Sequence, residues 1–247
     1  MTLCEPEFHD VPTPTGLMRT HLFRPRSPGR YPAIVFYSEI FQVTGPIRRM
    51  ASMLAGHGFL VAAPEIWHEF EPMGFSFGPT STDSDRGNAL KKTKELAAFD
   101  SDATAVLSYL KAHPICTGSV GFAGKCIGGH LAIRAAALNP EVRAVVCWYA
   151  TDLHKASLSK SGDNTLSLAS AIRAEMALFW GRQDPHTPRE GRAVIYNALS
   201  DAGANFSWHE FNAQHAFMRD EGERYDPQLS MLCYQLALDL FRRDLHA

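Results

Sequence analysis

Three residues that together can run acyl transfer, Cys126, Asp184 and His215, occur in that chain order, each following a strand-like segment. Cys126 lies in Gly124-Lys125-Cys126-Ile127-Gly128-Gly129, the pattern Gly-x-Cys-x-Gly. A nucleophile on a sharp strand-to-helix turn needs residues without side chains two before and two after it, because backbone there packs on backbone. The helix that follows favours thiolate over thiol and leaves the Ile127 amide free for an oxyanion. Asp184 follows Ala174 to Trp180, and His215 follows Asn205 to Phe211. A fourth reactive residue, Glu39, stands just past Ala33 to Tyr37.

Each residue alone has a plainer reading. Cysteine can be a small core residue, aspartate a turn former and histidine a loop residue. Their shared place beyond strand ends is what points to chemistry, since ligands of open α/β sheets bind outside the carboxyl ends of the strands. The order nucleophile, acid, histidine is that of the α/β-hydrolase fold. A phosphate loop is excluded: Ser119 stands where its first glycine is needed, and Cys126 replaces the hydroxyl that would hold magnesium.

The elements that must position these residues can be read from periodicity. Glu7 to Arg24 predicts an edge hairpin, and Ala33 to Tyr37, Phe59 to Ala63, Gly118 to Ala123, Val142 to Trp148, Ala174 to Trp180 and Asn205 to Phe211 predict strands. Helices are expected over Thr44 to His57, Lys91 to Ala112, Ile127 to Leu138, Pro188 to Ala202 and Leu229 to Leu245. Pro64 to Asn88 reads as a long irregular segment that partly covers the site, and Leu153 to Ser170 as polar and irregular. Such alternation predicts one α/β domain over residues 1–247, a mostly parallel central sheet with helices on both faces.

At 45% apolar residues and a net charge of −2, the chain can bury a substantial core and carries no basic block for nucleic acid or a membrane surface. Five dispersed cysteines without a Cys-x-x-Cys pair suit a reducing cytoplasm. The opening Met-Thr-Leu-Cys-Glu-Pro-Glu has neither the basic start nor the apolar run of a signal peptide. His68-Glu69 hints at a zinc helix, but the second histidine is missing and Pro72 interrupts the helix, so no metal is expected.

The elbow, the Gly181-Arg182-Gln183-Asp184 turn, the His215-Ala216-Phe217-Met218-Arg219 segment and Glu39 together resemble the dienelactone hydrolase (carboxymethylenebutenolidase) family. The resemblance runs from about the first central strand to the end of the chain. It implies an α/β-hydrolase fold and a Cys126–His215–Asp184 triad that opens an enol-lactone without a cofactor. It further implies that Glu39 helps deprotonate the thiol when substrate arrives and that Arg219 grips a substrate carboxylate. In that mechanism the amides of Ile127 and Ile40 form the oxyanion hole.

Two positions depart from the family pattern. Lys125 replaces an aromatic residue before the cysteine. In Pro64-Glu65-Ile66-Trp67-His68-Glu69, where Trp67 is expected to meet substrate, Glu69 stands at the place of a second carboxylate-binding arginine. Glu69 would repel an anionic substrate unless Arg86 or His68 substitutes, or the substrate is less acidic. A neutral ester or thioester is therefore the alternative substrate, and a non-catalytic ligand-binding protein the alternative class. A small-molecule lactone or ester is the expected partner, and a monomer or small homo-oligomer the expected state.

Overall fold

In the β-strand Tyr31–Tyr37 (β3) alternate side chains part company: Ala33, Val35 and Tyr37 join one apolar cluster, Ile34 and Phe36 the other. A strand buried on both sides is the mark of a parallel sheet covered by helices on both faces. The computed structural model describes residues 1–246 and builds that arrangement around one eight-stranded sheet.

The sheet contains β1 (Glu7–Thr13), β2 (Gly16–Phe23), β3, β4 (Leu60–Pro64), β5 (Cys116–Lys125), β6 (Ala144–Trp148), β7 (Glu175–Gly181) and β8 (Phe206–Phe211). Its spatial order is β1-β2-β4-β3-β5-β6-β7-β8, with β1, β2 and β4 paired antiparallel and every later pairing parallel. All the central strands therefore end on the same edge.

Helices α1 (Gly45–Gly56) and α6 (Pro227–Leu245) cover one face. On α1 the stripe Ile47, Met50 and Leu54 points inward, and Pro46 in the first turn starts the helix where its missing N–H costs nothing. The other face carries α3 (Leu96–Ala112), α4 (Ile127–Leu138) and α5 (Arg189–Asp201). Helix α4 is buried along nearly its whole length, which its alanine- and glycine-rich sequence permits. Among the described residues no helix is long and apolar enough to cross a membrane.

Two expected elements differ. Residues Ser81–Thr93 form a helix, α2, that begins inside what reads as an irregular segment and runs past its end; Thr80 caps it by accepting from the Asp83 amide at 3.1 Å. The helix predicted over Lys91 to Ala112 is broken, because Lys94 leaves helical geometry with φ −64° and ψ 134°. Its buried ammonium meets Asp102 at 2.6 Å, Glu69 at 2.6 Å and the Ile66 carbonyl at 3.1 Å. Three buried acceptors outweigh the continuation of one helix. Within 153–170 the chain makes two 3-10 turns, Leu153–Lys155 and Thr165–Ala171.

Candidate active site

The strand β5 runs into α4 with no linker but Cys126, whose backbone sits at φ 56° and ψ −124°. A non-glycine residue held in that region is strained and persists only where its surroundings dictate it. They do: a Cβ on Gly128 would come within 2.5 Å of the carbonyl oxygens of Tyr37 and Ser38, and one on Gly124 would overlap the Gly128 carbonyl. Both glycines are required by contact, as the spacing predicts. The Cys126 amide donates to the Trp148 carbonyl at 3.0 Å, tying the elbow to β6.

Asp184 follows β7 and is 3% exposed. Its Oδ1 accepts from the His186 amide at 2.8 Å, which orients the carboxylate, and its Oδ2 lies 2.7 Å from Nδ1 of His215. That contact fixes the tautomer that leaves Nε2 for the cysteine. Burial disfavours a charged His215, but the adjacent Cys126 sulfur and Asp184 outweigh it and raise the imidazole to about 10. Asp184 feels burial upward, yet its bond to His215 leaves the carboxyl below its ordinary value. Cys126, His215, Ile40 and Arg219 share one cavity of about 300 Å³, closed on one side by Ser84 and Asn88 of α2 and by Pro79. The 64–88 segment thus borders the site as expected.

Neither the Ile127 nor the Ile40 amide has a backbone acceptor among the described residues, so both are free to serve an oxyanion. Glu39, 2% exposed, accepts from Nε of Arg219 at 2.9 Å through Oε2, while its Oε1 is buried without a partner. The Arg219 guanidinium also lies 5.0 Å over the Phe41 ring. Burial alone would depress Arg219, but Glu39 raises it above its ordinary value.

Trp67 does not reach the cavity. It is fully buried against Phe99, and its indole N–H donates to the Ile40 carbonyl at 2.8 Å, so it braces the Ile40 backbone. Glu69 is likewise turned away, paired with Lys94, and is no repulsive charge on the cavity wall. Neither suggested substitute stands in the site: Arg86 donates to Glu71 at 2.8 Å, and His68 lies 3.1 Å from Asp102. His68, Glu69 and Asp102 cluster closely enough to suggest a metal site, but the Lys94 ammonium already holds both carboxylates.

Three neighbours of the triad were not singled out in the sequence. The Thr151 hydroxyl is 3.8 Å from the Cys126 sulfur. The rings of His186 and Tyr149 pack edge-on against His215 at 4.5 and 5.1 Å between centroids. Tyr149 has φ 42° and a buried, unpartnered hydroxyl, and burial together with the Glu39 charge holds that phenol neutral. It follows the end of β6, so the strand-end rule that finds Asp184 also finds it. On the other flank of the elbow, Lys125 is 1% exposed and donates to the Met218 carbonyl at 3.1 Å. Burial lowers its ammonium to about 8, with Glu39 opposing.

Residues 18–245 match the family model described as the dienelactone hydrolase family. A relative from Saccharomyces cerevisiae, named "Putative carboxymethylenebutenolidase", is 36% identical over 96% of this chain and 91% of its own. The "Carboxymethylenebutenolidase" of Pseudomonas sp. strain P51 is 26% identical, covering 92% and 91%. Among solved structures, one described as a "Putative Dienelactone Hydrolase" from Klebsiella pneumoniae superposes with a TM-score of 0.87 at 24% identity, over 98% of this chain and 100% of that one.

Proposed function

The chain belongs to the dienelactone hydrolase family, and we propose that it is a cysteine-dependent hydrolase that opens an enol-lactone through a thioester on Cys126. The observation that carries this reading is the 2.7 Å Asp184–His215 contact, with His215 on the wall of the same cavity as a cysteine held on a strained elbow.

His215 holds the proton taken from the thiol, and the Cys126 sulfur attacks the lactone carbonyl. The new C–S bond drives charge onto the carbonyl oxygen, where the Ile127 and Ile40 amides receive it; such donors are worth about 3 to 4 kcal/mol each. Collapse breaks the ring C–O bond, and the enolate takes the proton from His215. Tautomerisation of the enol to a ketone makes this step hard to reverse. A water then gives its proton to His215 and attacks the thioester; the C–S bond breaks, the acid leaves and the thiolate is restored. No step calls on a cofactor. Arg219 anchors a substrate carboxylate, and that carboxylate competes with Glu39 for the guanidinium, releasing Glu39 toward the thiol. A cytoplasmic setting belongs to the same reading, supported by five free cysteines.

One observation favours a second substrate class. With Glu69 turned to Lys94 and Arg86 paired with Glu71, the position of the family's second arginine supplies no cation to the cavity, which suits a neutral ester or thioester. Steady-state hydrolysis of dienelactone and of p-nitrophenyl acetate by wild type and Cys126→Ala separates the readings. Lactone turnover abolished by the substitution supports the first, and cysteine-dependent turnover of the acetate alone supports the second. Turnover indifferent to Cys126 overturns both.

A further inference from the structure

Beside the catalytic cavity lies a second one of about 350 Å³, walled mainly by the rings of Phe41, Pro46, Phe77 and Pro79, with Glu39, Arg219 and Glu221 also on its lining. The two share Phe41, Pro79 and Arg219. The apolar wall is built in: the Phe77 amide donates to the Phe41 carbonyl at 3.1 Å, and Phe75 packs edge-on against Phe77 at 5.0 Å. A dienelactone is a compact, polar ring, and the catalytic cavity suffices for it. The enol-lactone reading therefore leaves this largely apolar space without a use.

We propose that the second cavity is an acyl subsite, and that the protein takes esters whose acyl group carries a medium-length hydrocarbon chain. Chemistry fixes the direction. The leaving oxygen must face His215, which gives it a proton, so the alcohol side lies toward His215 and His186. The acyl substituent then points away from them, along Phe41 and Pro79, into a cavity that neither histidine lines. Phe41 directly follows Ile40, so a carbonyl seated on the Ile40 amide has its acyl chain at the mouth of the subsite. Arg219, on the wall that the two cavities share, has its guanidinium paired with Glu39 and laid over the Phe41 ring.

This inference rests on the hydrolase reading for its orientation but not for its test. In p-nitrophenyl acetate, butyrate and hexanoate, kcat/KM is expected to rise with chain length, by up to about fourfold per methylene buried. Ser76→Trp and Thr44→Phe, two lining positions of the subsite that are not triad residues, should flatten that rise while leaving acetate turnover near wild type. Binding is read independently by calorimetry on Cys126→Ala, with acetate and hexanoate as probes. Hexanoate should bind at least tenfold tighter, and the advantage should vanish when Ser76→Trp is added. A flat chain-length series, or a hexanoate preference that survives both filling substitutions, overturns the subsite. Loss of all Cys126-dependent turnover with the hexanoate preference intact would strike the hydrolase reading instead.

Discussion

Lys125 carries its charge where water cannot reach it, one residue before Cys126. Its nearest acceptor is a single carbonyl, and burial brings it from 10.5 to about 8. Between those two values the unfolded chain binds the proton and the folded one does not, so the cost to folding is full below about pH 8 and fades as pH rises to 10.5. A shift of that size is worth about 3 kcal/mol. Lys125→Met should therefore stabilise the protein at pH 7 by up to about that amount, with the gain shrinking toward pH 10. Urea unfolding of both proteins at the two pH values checks it; a gain that does not shrink would place the effect in packing. Arg219 belongs to the same scale. Arg219→Ala should raise KM for a carboxylated lactone by about ten- to a hundredfold, as a charge-assisted contact predicts, and leave a neutral ester nearly unchanged. Equal effects on both substrates would show that the residue's role is to hold Glu39.

Between residue and molecule stand the segments that aim the amides. The indole of Trp67 fixes the Ile40 carbonyl, and a Cβ on Gly87 would press within 2.9 Å of the same oxygen, so the loop proposed to supply an oxyanion donor is held from behind by two segments. Trp67→Phe keeps most of the packing and removes the hydrogen bond. It should lower kcat about tenfold with little change in KM, less than the hundredfold or more lost when such a donor is deleted outright. Steady-state kinetics reads the split, and a change confined to KM would return Trp67 to substrate binding. At the elbow, Gly128→Ala pushes a methyl into two carbonyls of the β3 end and should lower both activity and the unfolding midpoint. The elbow was legible in the sequence because its glycines answer to a local contact. Trp67 was not, because its partner lies 27 residues away and an apolar ring near a motif reads equally well as wall or as brace. Helix α2 was hidden for a different reason: it is polar along most of its length, so only the Thr80 cap marks it.

Across the whole molecule, the parallel strands put Glu39, Cys126, Tyr149, Asp184 and His215 on one edge, which is why position after a strand points to most of the candidate site. Charge was harder to read. Glu69 could be placed only once Lys94, a residue that breaks its own helix, was seen to hold it. The same sheet decides the fate of the sulfur atoms. Burial pushes the Cys147 and Cys233 thiols up to about 12 and raises Cys116, while Cys126 lies on an open cavity at a helix start. A thiol placed to attack a carbonyl is also placed to attack a peroxide, giving a sulfenic acid and water, and none of the other four cysteines stands on the cavity wall to cap it as a disulfide. Low hydrogen peroxide should silence hydrolysis with one equivalent of oxygen per chain, dithiothreitol should restore it, and longer exposure should make the loss permanent. Mass spectrometry of the Cys126 peptide follows each stage. A catalytic role for Cys126 would thus tie hydrolysis to the reducing capacity around the protein.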